Sequence, residues 1–124
     1  MSRLNLLAEV SIPAMPPSVN HYTKRTRGGG VTLTEASREF KRTAYQSLAP
    51  YAPKKPSQKP IAVEIVIHPA NKRTSDTDNR NKLILDALEE ARFIVDDKQV
   101  VELLTKRGEV VKGGRVDLII CEIE

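Results

Sequence analysis

The chain has 124 residues, of which 40% are hydrophobic, so it suits one small globular domain over residues 1–124 and is too apolar for a disordered segment. It carries 20 Lys and Arg against 16 Asp and Glu, and this net charge of +4 favours an acidic partner such as nucleic acid. No apolar run is long enough to span a membrane, and we recognise no secretory leader, so we expect a cytoplasmic protein without a membrane partner. Its single cysteine, Cys121, excludes an internal disulfide, and we expect it to be buried.

The first half of the chain predicts a strand, a long loop and a helix. Residues 4–12 are mostly apolar and end at a group of prolines, which is typical of a strand and its termination. Residues 18–33 predict a loop with a basic, glycine-rich centre. A helix over 35–48 follows Thr34, a suitable N-cap. Its apolar face is predicted to hold four residues: Ala36, Phe40, Ala44 and Leu48.

The second half predicts a strand, a helix and two further strands. Residues 61–68 alternate between apolar and other side chains, and residues 78–90 have helical spacing, with Asp76 or Thr77 as the cap. Residues 100–111 and 115–123 predict two strands joined by a glycine turn of the hairpin type. The order β-α-β-α-β-β predicts an α/β (α+β) fold, in which a small mixed sheet carries the helices packed on it.

Charge is segregated along the chain. Residues 24–55 hold eight bases and two acids, whereas residues 76–102 hold eight acids and four bases. A basic surface attracts a phosphate backbone, but carboxylates repel it unless a divalent cation lies between them. This pattern indicates metal-dependent chemistry on nucleic acid.

Four aspartates are the candidate ligands of that cation. Asp76 and Asp78 precede the second predicted helix, and Asp96 and Asp97 follow it after a short apolar segment that could bring them back beside the first pair. Oxygen ligands of this kind suit Mg²⁺. Taken separately, the first pair could equally cap the helix and the second pair could form a solvated turn.

Lys82 lies one helical turn after Asp78 and one before Asp86, so these three residues share one stripe of the predicted helix. The Lys82 ammonium then lies on the same side as the Asp78 carboxylate, where it can bind a phosphate group. The alternative is that it only forms a row of surface ion pairs with the two aspartates.

Four stretches of the chain carry a family likeness. Residues 16–22 read PPSVNHY, residues 76–82 read DTDNRNK, residues 86–88 read DAL and residues 93–100 read FIVDDKQV. In this order and spacing, over nearly the whole chain, they resemble the RusA family of Holliday-junction resolvases, endonucleases found in phages and prophages.

The resemblance implies a Mg²⁺-dependent endodeoxyribonuclease, with Mn²⁺ as a substitute, that acts as a homodimer and makes paired nicks in four-way junction DNA. It implies that Asp76, Asp78 and Asp97 bind the metal and that Lys82 is essential. Asp96 matches a further acidic position. It also implies a bacterial host cell and a phage or prophage gene as the setting.

The expected DNA contacts come from two basic segments and one asparagine: Lys24, Arg25, Arg27, Lys72, Arg73 and Asn20. Members of the family carry a run of arginines just before the first aspartate pair, where this chain has only Lys72 and Arg73. Part of the affinity for DNA could therefore come from the basic loop.

Three other readings of the sequence compete with this one. A non-catalytic DNA-binding protein would bind without regard to metal or to Asp97. A metal nuclease of the same fold could act on other branched DNA. A purely structural partner protein would leave the charge segregation unexplained.

Overall fold

The computed structural model describes residues 4–17, 23–72 and 80–124. Within these residues the elements follow the chain as β1 (Leu4–Ile12), β2 (Thr23–Arg25), β3 (Val31–Leu33), α1 (Glu35–Leu48), β4 (Ile61–His68), α2 (Asn81–Glu90), β5 (Val100–Arg107) and β6 (Arg115–Ile123). Two short 3₁₀ turns, Ala49–Tyr51 and Asp97–Gln99, follow α1 and precede β5. The predicted fold class, a mixed sheet with packed helices, is confirmed.

The main sheet has the strand order β1-β6-β4-β5. Strand β6 pairs antiparallel with both β1 and β4, whereas β5 pairs parallel with β4. Parallel neighbours need a crossover, and here the segment that contains α2 provides it. The sheet is therefore mixed because α2 returns the chain to the same end of β4 before β5 begins.

The predicted hairpin between the last two strands is wrong. Strand β5 ends at Arg107, earlier than expected, and β6 pairs on the far side of β4 instead of with β5. Gly113 and Gly114 do turn the chain, both with φ of 81°. A glycine turn reverses the direction locally, but the seven residues between the strands are enough to carry β6 across the end of β4.

The predicted loop over residues 18–33 is also wrong in part. Strands β2 and β3 form a separate two-stranded hairpin, in which Thr26 donates its backbone N–H to the Gly30 carbonyl oxygen at 2.9 Å. Gly29 sits in the tip with φ of 84°. Three residues per strand are too few to give a recognisable alternation in the sequence.

Both helices bury one face in the core, and that of α1 differs in part from the predicted face. In α1 Thr34 caps the helix as expected, accepting from the Ser37 N–H at 3.2 Å, but Ser37 is buried and Ala36 is exposed. The Ser37 hydroxyl accepts a hydrogen bond from that of Thr34, which allows a polar group in the buried position. The buried residues of α2 are Leu83, Ile84, Ala87 and Leu88.

The second helix begins later than predicted. Its first residue is Asn81, and Arg80 occupies the N-cap position without a side-chain cap hydrogen bond. The proposed caps Asp76 and Thr77 lie outside the described residues. Cys121, expected in the core, is only half-buried because β6 alternates and odd-numbered residues here face away from the helices. No described helix is long and apolar enough to cross a membrane.

Candidate metal and DNA site at the end of the second helix

The chain turns sharply at the end of α2. Arg92 adopts a left-handed conformation with φ of 66°, which costs roughly 1 kcal/mol for a residue with a side chain. The Phe93 N–H then donates to the Leu88 carbonyl oxygen at 3.0 Å, and the Phe93 side chain is fully buried. This buried anchor fixes the position of the acidic residues that follow it.

The acidic turn 96–99 is held by a reciprocal capping box. The Asp96 carboxylate accepts the Lys98 N–H at 2.8 Å, while the Gln99 side-chain oxygen accepts the N–H groups of Val95 and Asp96 at 2.7 and 2.9 Å. The Lys98 N–H keeps the pKa of the Asp96 carboxyl below its usual value. The amide nitrogen of Gln99 also donates to the carbonyl oxygens of Ser57 and Lys59. The turn is thereby tied to the proline-rich connector, residues 52–60, which leads from the 3₁₀ turn after α1 to β4.

Three carboxylates converge at this turn. The Asp97 backbone N–H donates to Glu89 Oε1 at 2.6 Å, which links the turn to the last full turn of α2. One carboxylate oxygen each from Glu89, Asp96 and Asp97 lies within 4.8 Å of the others. The sequence singled out Asp96 and Asp97 but missed Glu89. Its position eight residues before Asp97, near the end of a helix, was the available signal.

The cluster fits a hard divalent cation. Like charges so close together repel one another, and a cation among them offsets that repulsion. The donors are all oxygens, and Glu89 and Asp97 are half-buried whereas Asp96 is exposed, so one side stays open to solvent or substrate. The described members of the expected ligand set, Asp97 and Asp96, both belong to this cluster. Asp76 and Asp78 lie outside the described residues and remain predicted ligands.

Lys82 lies on the same stripe of α2 as Glu89, a member of the carboxylate cluster. It pairs with Asp86 at 3.0 Å, and Lys82, Asp86 and Glu89 follow one another at spacings of four and three residues. The rise of an α-helix places Lys82 about 10 Å along the axis from Glu89. One metal ion therefore cannot contact both residues, whereas a DNA backbone lying along the stripe could meet the ammonium of Lys82 at one point and a cation held at the carboxylates at another.

A basic helix face borders the cluster on its other side. Lys41 of α1 pairs with Glu90 at 2.5 Å, and Arg38, Arg42 and Tyr45 line the same shallow depression with them. The bases of α1 were not among the predicted DNA contacts. The side chain of Glu90 faces α1, whereas that of its neighbour Glu89 faces Asp97. The last turn of α2 thus separates a basic surface from an acidic one.

The predicted DNA contacts are accessible where they are described. Lys24 and Arg25 on β2, Arg27 in the hairpin tip and Lys72 after β4 are all exposed. Arg73 and Asn20 lie outside the described residues. His68 ends β4 and lies within hydrogen-bonding distance of the Asp117 carboxylate and the Glu109 carbonyl oxygen, both at 2.9 Å.

Comparison with known proteins decides the family. Residues 13–120 match the family described as Endodeoxyribonuclease RusA. The chain belongs to the RusA family. This membership confirms the resemblance identified in the sequence and the prediction of an endodeoxyribonuclease.

Bacterial and phage relatives of the RusA family align with nearly the whole chain. A protein named crossover junction endodeoxyribonuclease RusA from Escherichia coli K12 is 34% identical over 113 residues, covering 87% of this chain and 89% of the relative. Proteins of the same name from Enterobacteria phages 82 and HK97 are 31% and 28% identical, with coverage of 87% and 88% of this chain and 89% and 90% of theirs. The expected link to phages is supported by these relatives.

Proposed function

We propose that this protein is a Mg²⁺-dependent endodeoxyribonuclease that resolves Holliday junctions by paired symmetric nicks during DNA recombination and repair. The observation that carries the proposal is the carboxylate cluster of Glu89, Asp96 and Asp97 in a chain of the RusA family. The relatives named crossover junction endodeoxyribonuclease supply the substrate class. The alternative interpretation, a solvated acidic turn, does not account for the third carboxylate, which Glu89 of α2 contributes.

Asp97 would hold the metal together with the predicted ligands Asp76 and Asp78, and Asp96 is a possible additional ligand. Glu89 would add a further oxygen or keep Asp97 in place through its backbone. When bound, Mg²⁺ or Mn²⁺ would offset the charge of the phosphodiester and make a water molecule more acidic. The protein contributes the oxygen ligands and an orientation that the capping box holds fixed.

Lys82 would bind the scissile phosphate or the negative charge that develops on it. Its exposed ammonium lies on the stripe that ends at the carboxylates, and the Asp86 carboxylate, 3.0 Å away, would hold it in position. The bases Lys24, Arg25, Arg27, Lys72 and Arg73, together with Asn20, would contact the arms of the junction. We add Arg38 and Arg42 of α1 to this set because they lie beside the last turn of α2.

A homodimer follows from the symmetry of the substrate. A four-way junction has approximate two-fold symmetry, and clean resolution needs one nick on each of two symmetry-related strands. One domain over residues 1–124 with one site makes a single nick in one encounter, whereas two copies related by a two-fold axis make both. The cytoplasmic location stays a prediction from the sequence.

The test is cleavage of a synthetic four-way junction beside a linear duplex of matched sequence. Reactions with Mg²⁺, Mn²⁺ and a chelator would be run with the wild type, Asp78→Asn, Asp97→Asn and the control Glu109→Gln, an exposed carboxylate outside the cluster. We expect paired nicks in the junction alone, dependent on metal, lost in both aspartate variants and retained in the control.

Other outcomes would identify the competing functions. Junction binding without cleavage under any metal would indicate a non-catalytic DNA-binding protein. Equal cleavage of flaps or forks would indicate a nuclease for other branched DNA. Full activity of Asp97→Asn would remove the cluster from the reaction.

A further inference from the structure

Strand β5 is an unpaired edge of the main sheet within the described residues. It pairs with β4 on one side only, over residues Ile61 to Ile67, so its outer edge presents a row of backbone N–H and carbonyl groups. Proteins usually protect such an edge with a bulge, a proline, a covering element or charged side chains, because it can pair with another strand. The eight residues of β5 contain no proline, and the register shift in the pairing with β4 lies at the start of the strand, between Ile61 and Ala62. The charged side chains of β5 are Glu102, Lys106 and Arg107.

Four of the eight residues of β5 are apolar, and three of these four are exposed. Val101, Leu103 and Leu104 are 62%, 43% and 51% exposed. Leu104 also borders an apolar depression of about 460 Å³ on the face of the sheet where Ala62, Ile119 and Cys121 lie. Apolar groups concentrated on an open strand favour a partner that removes them from water.

The charges of β5 are arranged to complement a second β5. Glu102, Leu104 and Lys106 lie on the same face, opposite Ala62, Glu64 and Val66 of β4. Glu102 is exposed and makes no ion pair with the described residues, while Lys106 pairs with Glu64 at 2.6 Å and remains 55% exposed. The acid and the base are thus placed symmetrically, two residues on either side of Leu104.

Symmetry restricts how two such strands can pair. In an antiparallel pair, residues directly opposite one another point to the same face. A two-fold axis perpendicular to the sheet must therefore pass midway between one residue and the same residue of the partner strand. An axis at Glu102 would oppose two carboxylates, and an axis at Leu103 would oppose Glu102 to a leucine. An axis at Leu104 opposes Glu102 to Lys106 of the partner subunit, twice.

We propose that β5 pairs antiparallel with β5 of a second copy of this chain, with Leu104 at the two-fold axis, which joins the two main sheets into one. The inference rests on the homodimer of the proposed function and specifies its interface. In this register Lys106 lies between Glu64 of its own chain and Glu102 of the partner subunit. Val101 and Leu103 become covered by the partner strand.

Cysteine cross-linking tests the register directly. In a Cys121→Ser background, Leu104→Cys places two thiols opposite each other at the axis, with Cβ atoms about 5 Å apart. We expect a covalent dimer on mild oxidation or with a short bifunctional thiol reagent. The matched control is Leu6→Cys on β1, the opposite edge strand, which is 58% exposed and should give no dimer. Cross-linking of Leu6→Cys but not Leu104→Cys would overturn the proposal.

Charge exchange gives an independent readout without cysteines. Glu102→Lys and Lys106→Glu should each raise the dimer dissociation constant at least tenfold in sedimentation or light-scattering titrations, because like charges would then be opposed. The double exchange Glu102→Lys with Lys106→Glu should restore most of the affinity. Single variants that dimerise like the wild type would overturn the proposed pairing, provided that circular dichroism shows them folded.

Junction cleavage, measured in parallel, separates this inference from the proposed function. If the protein is a dimer that cleaves junctions, but neither cross-linking nor charge exchange gives the expected result, the β5 interface is refuted and the proposed nuclease function is retained. If the protein dimerises through β5 but cleaves no DNA with any metal, the proposed nuclease function is refuted and the interface is retained. A protein that is monomeric at all concentrations would refute the interface together with the homodimer.

Discussion

Glu89 and Asp97 are joined by a hydrogen bond of 2.6 Å, in which the Asp97 backbone N–H donates to a carboxylate oxygen of Glu89. The bond ties the last full turn of α2 to the acidic turn, and the two carboxylates also belong to the same cluster. Glu89 can therefore act through the position of Asp97, through the metal, or through both. Substitutions that differ in shape and charge separate these roles.

Replacement of Glu89 tests this relationship. Glu89→Gln keeps an oxygen for the Asp97 N–H but loses the charge, whereas Glu89→Ala loses both. We expect Glu89→Ala to reduce junction cleavage by about tenfold to 100-fold at limiting Mg²⁺, as is common for groups that orient metal ligands. A similar loss in Glu89→Gln would assign the effect to charge, and near-normal cleavage would assign it to position. Glu90→Gln is the control, since Glu90 faces Lys41 instead.

Gln99 should be important for stability as well as for the site. Its side chain makes four hydrogen bonds: its oxygen accepts from the N–H groups of Val95 and Asp96, and its nitrogen donates to two carbonyl oxygens of the connector. Gln99→Ala leaves these groups without their partner and should lower the free energy of unfolding by about 1–3 kcal/mol. Urea denaturation measures this change. Gln99→Glu should be no better, because it places acceptor against acceptor at Ser57 and Lys59. A wild-type denaturation midpoint in both variants would contradict the assigned bonds.

Lys82 can be separated from its ion pair. If Lys82 acts on the phosphate, Lys82→Met should reduce cleavage by about 10²–10³-fold, the range for a group that stabilises developing charge. Asp86→Asn removes the same ion pair but leaves the ammonium, so it should retain most of the activity. Single-turnover cleavage at saturating protein is the measurement. Equal losses in the two variants would show that the ion pair, and not the ammonium, is what matters.

The basic face of α1 should contribute to DNA affinity. Arg42 is exposed beside the last turn of α2, so Arg42→Ala should weaken junction binding and lower the slope of log affinity against log salt by about 1. Binding would be measured in a chelator, where cleavage does not occur. Lys55→Ala, an equally exposed base on the connector, is the control for net charge. Identical slopes for the two variants would show that α1 does not contribute to DNA binding.

The ionisation of Asp117 should make the stability of the fold depend on pH in the acid range. Burial raises the pKa of its carboxyl, but hydrogen bonds from Ser11, His68 and Arg115 outweigh this and hold the pKa below its usual 3.8. The folded state therefore favours the ionised form, so this contribution is present above about pH 4 and is lost as the pH falls further. Asp117→Asn should be less stable near neutral pH, and its difference from the wild type should shrink below about pH 4. A constant difference in thermal unfolding across this range would contradict the assignment.

Local patterns in the sequence determined the main elements and the chemical character of the site. Alternation over residues 61–68 and helical spacing after Thr34 predicted β4 and α1, because burial of one face imposes a period on the side chains. The ordered aspartates, with Lys82 between them, predicted the RusA family, which the comparison confirms. The chemical character of a site depends on residue type and spacing, and both can be read directly from the sequence.

The tertiary structure decided what depends on residues far apart in sequence. Strand β6 pairs with β4 and not with β5, since pairing follows from how several apolar faces are buried together and not from the turn between two strands. Glu89 joins Asp97 only because Arg92 reverses the chain and the fully buried Phe93 anchors it. The exposed apolar edge of β5 likewise exists only because β6 pairs elsewhere. Such relationships arise from packing, which no single segment encodes.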